Sequence, residues 1–173
     1  IRDSPYYDLI ASIPARRETL AEHLSAQLRM TLREPALLRV CLLLANSLDA
    51  NGYLRDDEAS LCRDFSCDAA LFHRALRHIQ ALEPAGVGAR DLSECLVLQL
   101  SRRKDNVPYA MDIAARFLTE LSRSHYGPIT KALGASISEI QAAEKAIAAL
   151  DPHPGQAFQP AEPTLYVLSL IHI

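Results

Sequence analysis

Ile79-Gln80-Ala81-Leu82-Glu83-Pro84-Ala85-Gly86-Val87-Gly88-Ala89-Arg90-Asp91-Leu92 ends one helix and begins another, and the fold class is read from what stands on either side of it. Before it, Phe72, Ala75, Leu76, Ile79 and Leu82 recur at three- and four-residue steps, the period of an apolar helix face, behind an N-cap at Asp68. After it, Asp91 and Glu94 have capping-box spacing, and Leu92, Cys95, Leu96, Leu98 and Leu100 cover most of a helix circumference, which predicts a central helix. Between the two, a proline and two glycines interrupt the period. Gly86 and Gly88 are expected to permit a tight turn and to set the angle between the flanking helical units, with Leu92 and Leu96 packing the units together.

The same period extends upstream. Leu20, Leu24, Leu28 and Leu32 lie every four residues from Glu18, and Pro35 stops that helix and opens the next, whose stripe is Leu38, Cys41, Leu42, Ala45 and Leu48. Asp49-Ala50-Asn51-Gly52-Tyr53 has turn chemistry, and a short helix over about 57–64 follows it. Downstream, a polar break at 102–106 precedes a helix opened by Pro108 with Ile113, Phe117, Leu118 and Leu121 inside. A short helix then ends at Gly134. Ser136 and Glu139 form a second capping box before Ile140, Ala143, Ile147 and Leu150. Residues 151–163 hold four prolines and are predicted to be largely extended, with His153 displayed at the surface.

No strand-like alternation interrupts residues 17–150, so the class is all-α. Ile79-Gln-Ala-Leu-Glu-Pro84 also matches Ile147-Ala-Ala-Leu-Asp-Pro152, each behind a long, long, short, long order of helices. Two consecutive small bundles of about four helices each are therefore expected. The division is an irregular lead-in at 1–16, a first helical unit at 17–84, a Gly-rich junction at 85–90, a second unit at 91–150, and an extended segment with an apolar tail at 151–173.

The 173 residues are 49% hydrophobic and 23% charged, with a net charge of −3. No apolar run approaches the roughly 20 residues that cross a bilayer, and the acidic balance opposes nonspecific nucleic-acid binding. Ile1 stands where an initiator Met would, so the chain reads as a fragment. Cys41, Cys62, Cys67 and Cys95 form no Cys-x-x-Cys pair and read as reduced thiols of a cytoplasmic protein; Cys62, Cys67 and His73 match no zinc spacing. The six histidines are scattered, nucleophile and Walker motifs are absent, and Gly86-Val87-Gly88 lacks the strand and third glycine of a dinucleotide loop. Neither catalysis, metal nor cofactor is expected. Short and long helices pair twice in helix-turn-helix fashion, but only the first long helix, with Arg74, Arg77 and His78, carries a basic face. An independent DNA-binding regulator is the alternative that this face leaves open.

Three stretches, Asp49-Ala-Asn-Gly-Tyr-Leu54, Ile79 through Leu100, and Leu150-Asp-Pro-His-Pro-Gly-Gln-Ala-Phe158, together resemble the core-binding domain of the bacterial sigma-54, or nitrogen-type, transcription initiation factors. The resemblance spans residues 17–166 in order and spacing. It implies binding to bacterial core RNA polymerase, direction of that enzyme to promoters with GG and GC elements, and a closed complex held until an enhancer-bound AAA+ ATPase remodels it. The family's activator-interacting segment and its promoter-recognition elements fall outside this chain, so promoter DNA and the ATPase are expected to be reached only through those missing regions. After Tyr166 the apolar tail no longer resembles the family. Polymerase contacts are expected from Arg74, Arg77 and Arg90 and from the motif residues Asp49, Gly52, Tyr53, Pro84, Gly86, Val87, Gly88, Ala89, Asp91, Leu92, Asp151, Pro152, Pro154 and Gly155, because the planar fork of arginine pairs with carboxylates at wet interfaces.

Overall fold

The computed structural model describes residues 18–105 and 107–159; the lead-in expected at 1–16 and the tail after Tyr166 lie outside them. The order is α1 (Leu20–Thr31), α2 (Pro35–Asn46), α3 (Glu58–Asp64), α4 (Ala69–Gln80), α5 (Leu92–Arg102), α6 (Ala110–Arg116), α7 (Leu118–Ser122), α8 (Tyr126–Leu133), α9 (Ile137–Ala148) and a 3-10 turn, Gln156–Phe158. The class is all-α. Among the described residues the only extended pairings are the isolated bridges Leu48–Leu54 and Tyr53–Ala89.

Side-chain caps set most of the helix starts. Thr19 and Ser136 each complete a capping box, with Glu22 and Glu139 returning the bond, while Asp57 and Asp68 accept from Ser60 N and Leu71 N. Pro35 is the first residue of α2, where its missing N–H costs nothing, and Gly134 at φ +65° closes α8 in the left-handed region. Asp91 caps α5 through Glu94 N at 2.8 Å. The expected reciprocal bond is not made: the Glu94 carboxylate accepts instead from Arg90 N at 2.8 Å and from Gln80 Nε2 at 2.7 Å, which ties the start of α5 to the end of α4.

The buried residues form two large cores and one small one. Leu24, Leu28, Leu44, Phe72 and Ile79 are fully buried in the first, which α1 to α4 enclose and into which Val87 inserts from the Pro/Gly loop. Ile113, Ile129 and Ile140 are fully buried in the second, shared by α5 to α9. Tyr53, Ala89 and Cys95 make the third, between the other two. α2 packs chiefly on α4 and α1, and α5 packs chiefly on α6.

The repeat goes further than its helix ends. In the first half, Gln27 on α1 donates to Glu83 O at 2.6 Å and accepts from Glu83 N at 3.0 Å. In the second, Gln99 on α5 donates to Asp151 O at 2.5 Å and accepts from Asp151 N at 3.0 Å. Each glutamine thus clamps both backbone groups of the acidic residue in front of Pro84 or Pro152, in the same relation to its own half. Around the clamps, Leu20-Ala-Glu-His-Leu-Ser-Ala-Gln-Leu28 aligns with Leu92-Ser-Glu-Cys-Leu-Val-Leu-Gln-Leu100.

Three local expectations are corrected. The helix expected from Pro108 through Leu121 is two helices, because Phe117 leaves the helical region at φ −125° and both closes α6 and opens α7. Pro108 lies ahead of the start, at which Tyr109 is left-handed at φ +63°. The segment after Leu150 is not largely extended where it is described: Gly155 N bonds to Asn51 O at 3.0 Å, and a turn followed by the 3-10 turn folds the chain back. Leu92 does not pack the halves together. It is 44% exposed, since the face it shares with Cys95 and Gln99 is buried only from Cys95 onward.

Candidate functional site

The three stretches singled out in the sequence, up to 109 residues apart, meet in one hydrogen-bonded junction. Its centre is the loop 49–54. Asp49 Oδ1 accepts from Asn51 N at 2.9 Å and Tyr53 N at 2.8 Å, and Asp49 Oδ2 accepts from Arg55 Nε at 3.1 Å, so a single carboxylate shapes the whole turn. Burial acts to raise the Asp49 carboxyl, but the Tyr53 N–H, the Arg55 guanidinium and the Asn51 N–H outweigh it and hold the group below its ordinary value.

The Pro/Gly loop docks on one side of this turn. Gly88 N donates to Gly52 O at 2.9 Å and Leu54 N donates to Ala89 O at 2.9 Å. Gly86 (φ +96°) and Gly88 (φ +73°) occupy backbone conformations that side chains disfavour. A Cβ on Gly86 would stand 2.7 Å from Cys95 Sγ and 2.8 Å from Gln99 Nε2, so the turn lies directly against α5. The Glu83–Pro84 peptide is cis.

The segment 151–159 docks on the other side. Besides the Gly155–Asn51 bond, Tyr53 donates its hydroxyl to Pro152 O at 2.5 Å and Gln159 Nε2 donates to Ala50 O at 2.8 Å. A Cβ on Gly155 would fall 2.6 Å from Ala50 O and 2.7 Å from the Asn51 carbonyl carbon, both backbone atoms that cannot turn aside. Pro154 is buried beside it. His153 is half-buried rather than displayed, with its ring edge-on to Tyr53 and its Nδ1 shielded without a hydrogen-bond partner among the described residues, because Tyr53 and Asp151 draw this segment inward. Tyr53 itself is 3% exposed, and burial together with the neighbouring Cys95 thiol pushes its phenol up to about 12. Burial raises both the Tyr53 phenol and the Cys95 thiol, which makes these two groups poor nucleophiles. The hydrogen bonds of the arrangement fix its shape.

Arg102 at the end of α5 completes the bracing. Its guanidinium donates to Leu82 O at 2.7 Å, to Gln80 O and to Glu83 Oε1 at 3.0 Å, so a cation from the second half covers the C-terminal carbonyls of α4 in the first.

The structure does not gather the three candidate arginines into one cluster. Arg74 and Arg77 are exposed on α4 beside His78 and Ala81, where they line one shallow depression. Arg74 is paired with Glu34 at 2.7 Å, whereas no ion pair engages Arg77 among the described residues. Arg90 lies in the Pro/Gly loop and pairs at 2.9 Å with Glu58, which also holds His73 at 3.0 Å. This is not the open basic face that a recognition helix presents to phosphates. Asp91 and Leu92 are exposed at the junction's edge, and Gly52, Val87 and Ala89 are buried within it.

Gln27, Gln99, Arg102 and Gln159 carry much of this site and were not singled out in the sequence. Gln99, 8% exposed, was detectable in principle as a lone amide on an apolar helix face, a position that requires a buried hydrogen-bond partner.

Acid should loosen this junction. The folded Asp49 carboxyl lies below its ordinary value of 3.8, so its ionised form stabilises the fold at every pH above that value, and the contribution disappears as pH falls through the lowered value. Asp49→Asn is expected to cost about 0.5–1.5 kcal/mol near neutral pH. The gap between its melting temperature and that of the unsubstituted chain should hold constant above the ordinary carboxylate range and close below it, as thermal melts across an acid series would read.

The family model described as "Sigma-54 factor, core binding domain" matches residues 10–171. That match continues past Tyr166, where the resemblance was expected to stop. The chain is 33% identical to the RNA polymerase sigma-54 factor of Xanthomonas euvesicatoria, over 89% of this chain and 34% of that protein. It is 35% identical to the sigma-54 factor of Bacillus subtilis, over 72% and 28%, and 36% identical to that of Azorhizobium caulinodans, over 83% and 28%. The chain spans about a third of the length of these curated relatives.

Proposed function

This chain belongs to the sigma-54 factor core binding domain family, and on that footing we propose that it is the part of an alternative sigma factor that docks on bacterial core RNA polymerase. It carries no chemistry of its own: it is a shaped body that brings the rest of the factor to the enzyme for initiation at activator-dependent promoters. Promoter DNA and the AAA+ activator are reached through other regions of such a factor. The observation that carries this reading is the junction, in which three motifs distant in sequence are locked together by backbone hydrogen bonds. A rigid junction lowers the ordering cost of docking, which favours affinity for a large partner.

The two helical units at 17–84 and 91–150 are, on this reading, one docking body set at a fixed angle by residues 85–90. Arg74, Arg77 and Arg90 supply polar contacts at its surface, with Arg77 the most available because no ion pair engages it among the described residues. An independent DNA-binding regulator is disfavoured, because Glu34 neutralises Arg74, one of the basic residues of the only helix face such a role could use.

Purified core RNA polymerase and random duplex DNA, titrated in parallel against this chain, test the reading. Saturable binding to polymerase at submicromolar concentration with negligible DNA binding is expected. Salt-sensitive DNA binding without polymerase binding by a folded helical sample would reverse the assignment.

A further inference from the structure

Helix α3 ends in a complete Schellman arrangement. Ser66 N donates to Arg63 O at 3.1 Å, Cys67 N donates to Cys62 O at 3.0 Å, and Ser66 between them is left-handed at φ +51°. This motif presses together the side chains at the two ends of its six-residue turn, ordinarily as an apolar contact. Here both are cysteines. The turn is held from below by buried Phe65, whose carbonyl accepts from Arg39 at 2.9 Å, and from beyond by Asp68, which caps α4. Cys62 and Cys67 are free thiols that remain partly exposed, whereas Cys41 and Cys95 are buried. Burial pushes the Cys67 thiol above its ordinary value, and the Cys62 thiol alongside it adds to that rise.

We propose that Cys62 and Cys67 are a reversible modification site, a dithiol that peroxides close to an intramolecular disulfide across the α3–α4 turn. A disulfide needs Cβ atoms about 3.8 Å apart, which is side-chain contact of the kind this turn imposes. In the first step one thiolate attacks a peroxide oxygen: an S–O bond forms, the O–O bond breaks, and the departing hydroxide takes a proton to become water. In the second, the other sulfur displaces the hydroxyl of the sulfenic acid: the S–S bond forms, the S–O bond breaks, and the thiol proton leaves with that hydroxyl as a second water. Two electrons pass from the sulfur pair to the peroxide. Closure covalently ties α3, whose Glu58 holds Arg90 and His73, to the residue just ahead of Asp68, the N-cap of the helix α4 that carries Arg74 and Arg77. It involves neither the junction nor polymerase, so its outcome is independent of the docking assignment.

The test treats the folded chain with hydrogen peroxide, alkylates the remaining thiols and digests with trypsin, which cuts at Arg63 between the two cysteines. The free-thiol count is expected to fall from four to two. Peptides 56–63 and 64–74 should emerge joined, lighter by two hydrogen atoms than their sum and separable by dithiothreitol. Cys62→Ser and Cys67→Ser should each abolish the joined species. Phenylarsine oxide, which requires two adjacent thiols, gives a second reading on the untreated chain: one equivalent bound, and none by either variant. Four thiols surviving treatment, a bond through Cys41 or Cys95, covalent dimers, or a sulfinic acid in place of the joined peptides would overturn the proposal.

Discussion

Gly86→Val is expected to lower polymerase affinity at least tenfold and to destabilise the chain by about 2–5 kcal/mol. Two costs add. A branched side chain at φ +96° accepts about 1–2 kcal/mol of backbone strain, and its Cβ at 2.7 Å from Cys95 Sγ and 3.2 Å from Cys95 O forces a further 1–3 kcal/mol, roughly, of repacking. Gln99 cannot swing away to relieve the clash, because both ends of its amide are committed to Asp151. The loop should therefore lift from α5 and change the set of the two halves. Gly134→Ala is the matched control: it too is left-handed, at φ +65°, but an added Cβ there meets nothing within 4 Å, so only the strain remains. Melting and polymerase titration of the two variants side by side separate a fault in the junction from a general glycine effect; equal polymerase affinity in both would remove the junction from the docking account.

Phe72→Ala should have the largest effect on stability alone, about 3–5 kcal/mol, because a fully buried ring leaves a cavity that its neighbours can fill only in part. For a chain of this size that is a fall in melting temperature of roughly 6–20 °C. Its distribution is as informative as its size. The first and second cores share no member and are bridged by the small cluster of Tyr53, Ala89 and Cys95. Amide exchange should accordingly quicken most in α1 to α4 and least in α8 and α9. Uniform loss of protection would mean that the junction binds both cores into one cooperative unit.

The helices were legible because their signals are local. Pro35, Asp68, Ser136 with Glu139, and Gly134 act within one turn of where they stand, and each does in the structure what its chemistry predicts. The motif stretches were legible as motifs, but their meeting was not, since the bonds that join them are mostly backbone pairs such as Gly88–Gly52 and Gly155–Asn51, to which side-chain identity contributes only by being absent. The misreadings follow the same division. Glu94 has ideal spacing to close a box on Asp91, yet a nearby N–H of Arg90 and the amide of Gln80 compete for it and win. Prolines predicted an extended segment after Leu150, but the bonds to the loop 49–54 override that preference. The repeat was visible at Leu82-Glu83-Pro84 and Leu150-Asp151-Pro152; its other half, the glutamine clamps, shows only once Gln27 and Gln99 are seen gripping those acids.

The reach of the junction along the chain also has a consequence in time. Tyr53 and its acceptor Pro152 are 99 residues apart, so on a translating ribosome adding about 5–20 residues per second, some 5–20 s separate their synthesis. Contacts internal to the first core can close in that interval, because every residue that lines it, up to Val87, is made well before Pro152. The loop 49–54 cannot: until Pro152 and Gly155 emerge, the Tyr53 hydroxyl and the Asn51 carbonyl lack the partners they have in the finished fold. The nascent chain thus passes through a stage with one core formed and the junction open, and the bonds from residues 152–159 are the last of the junction to form.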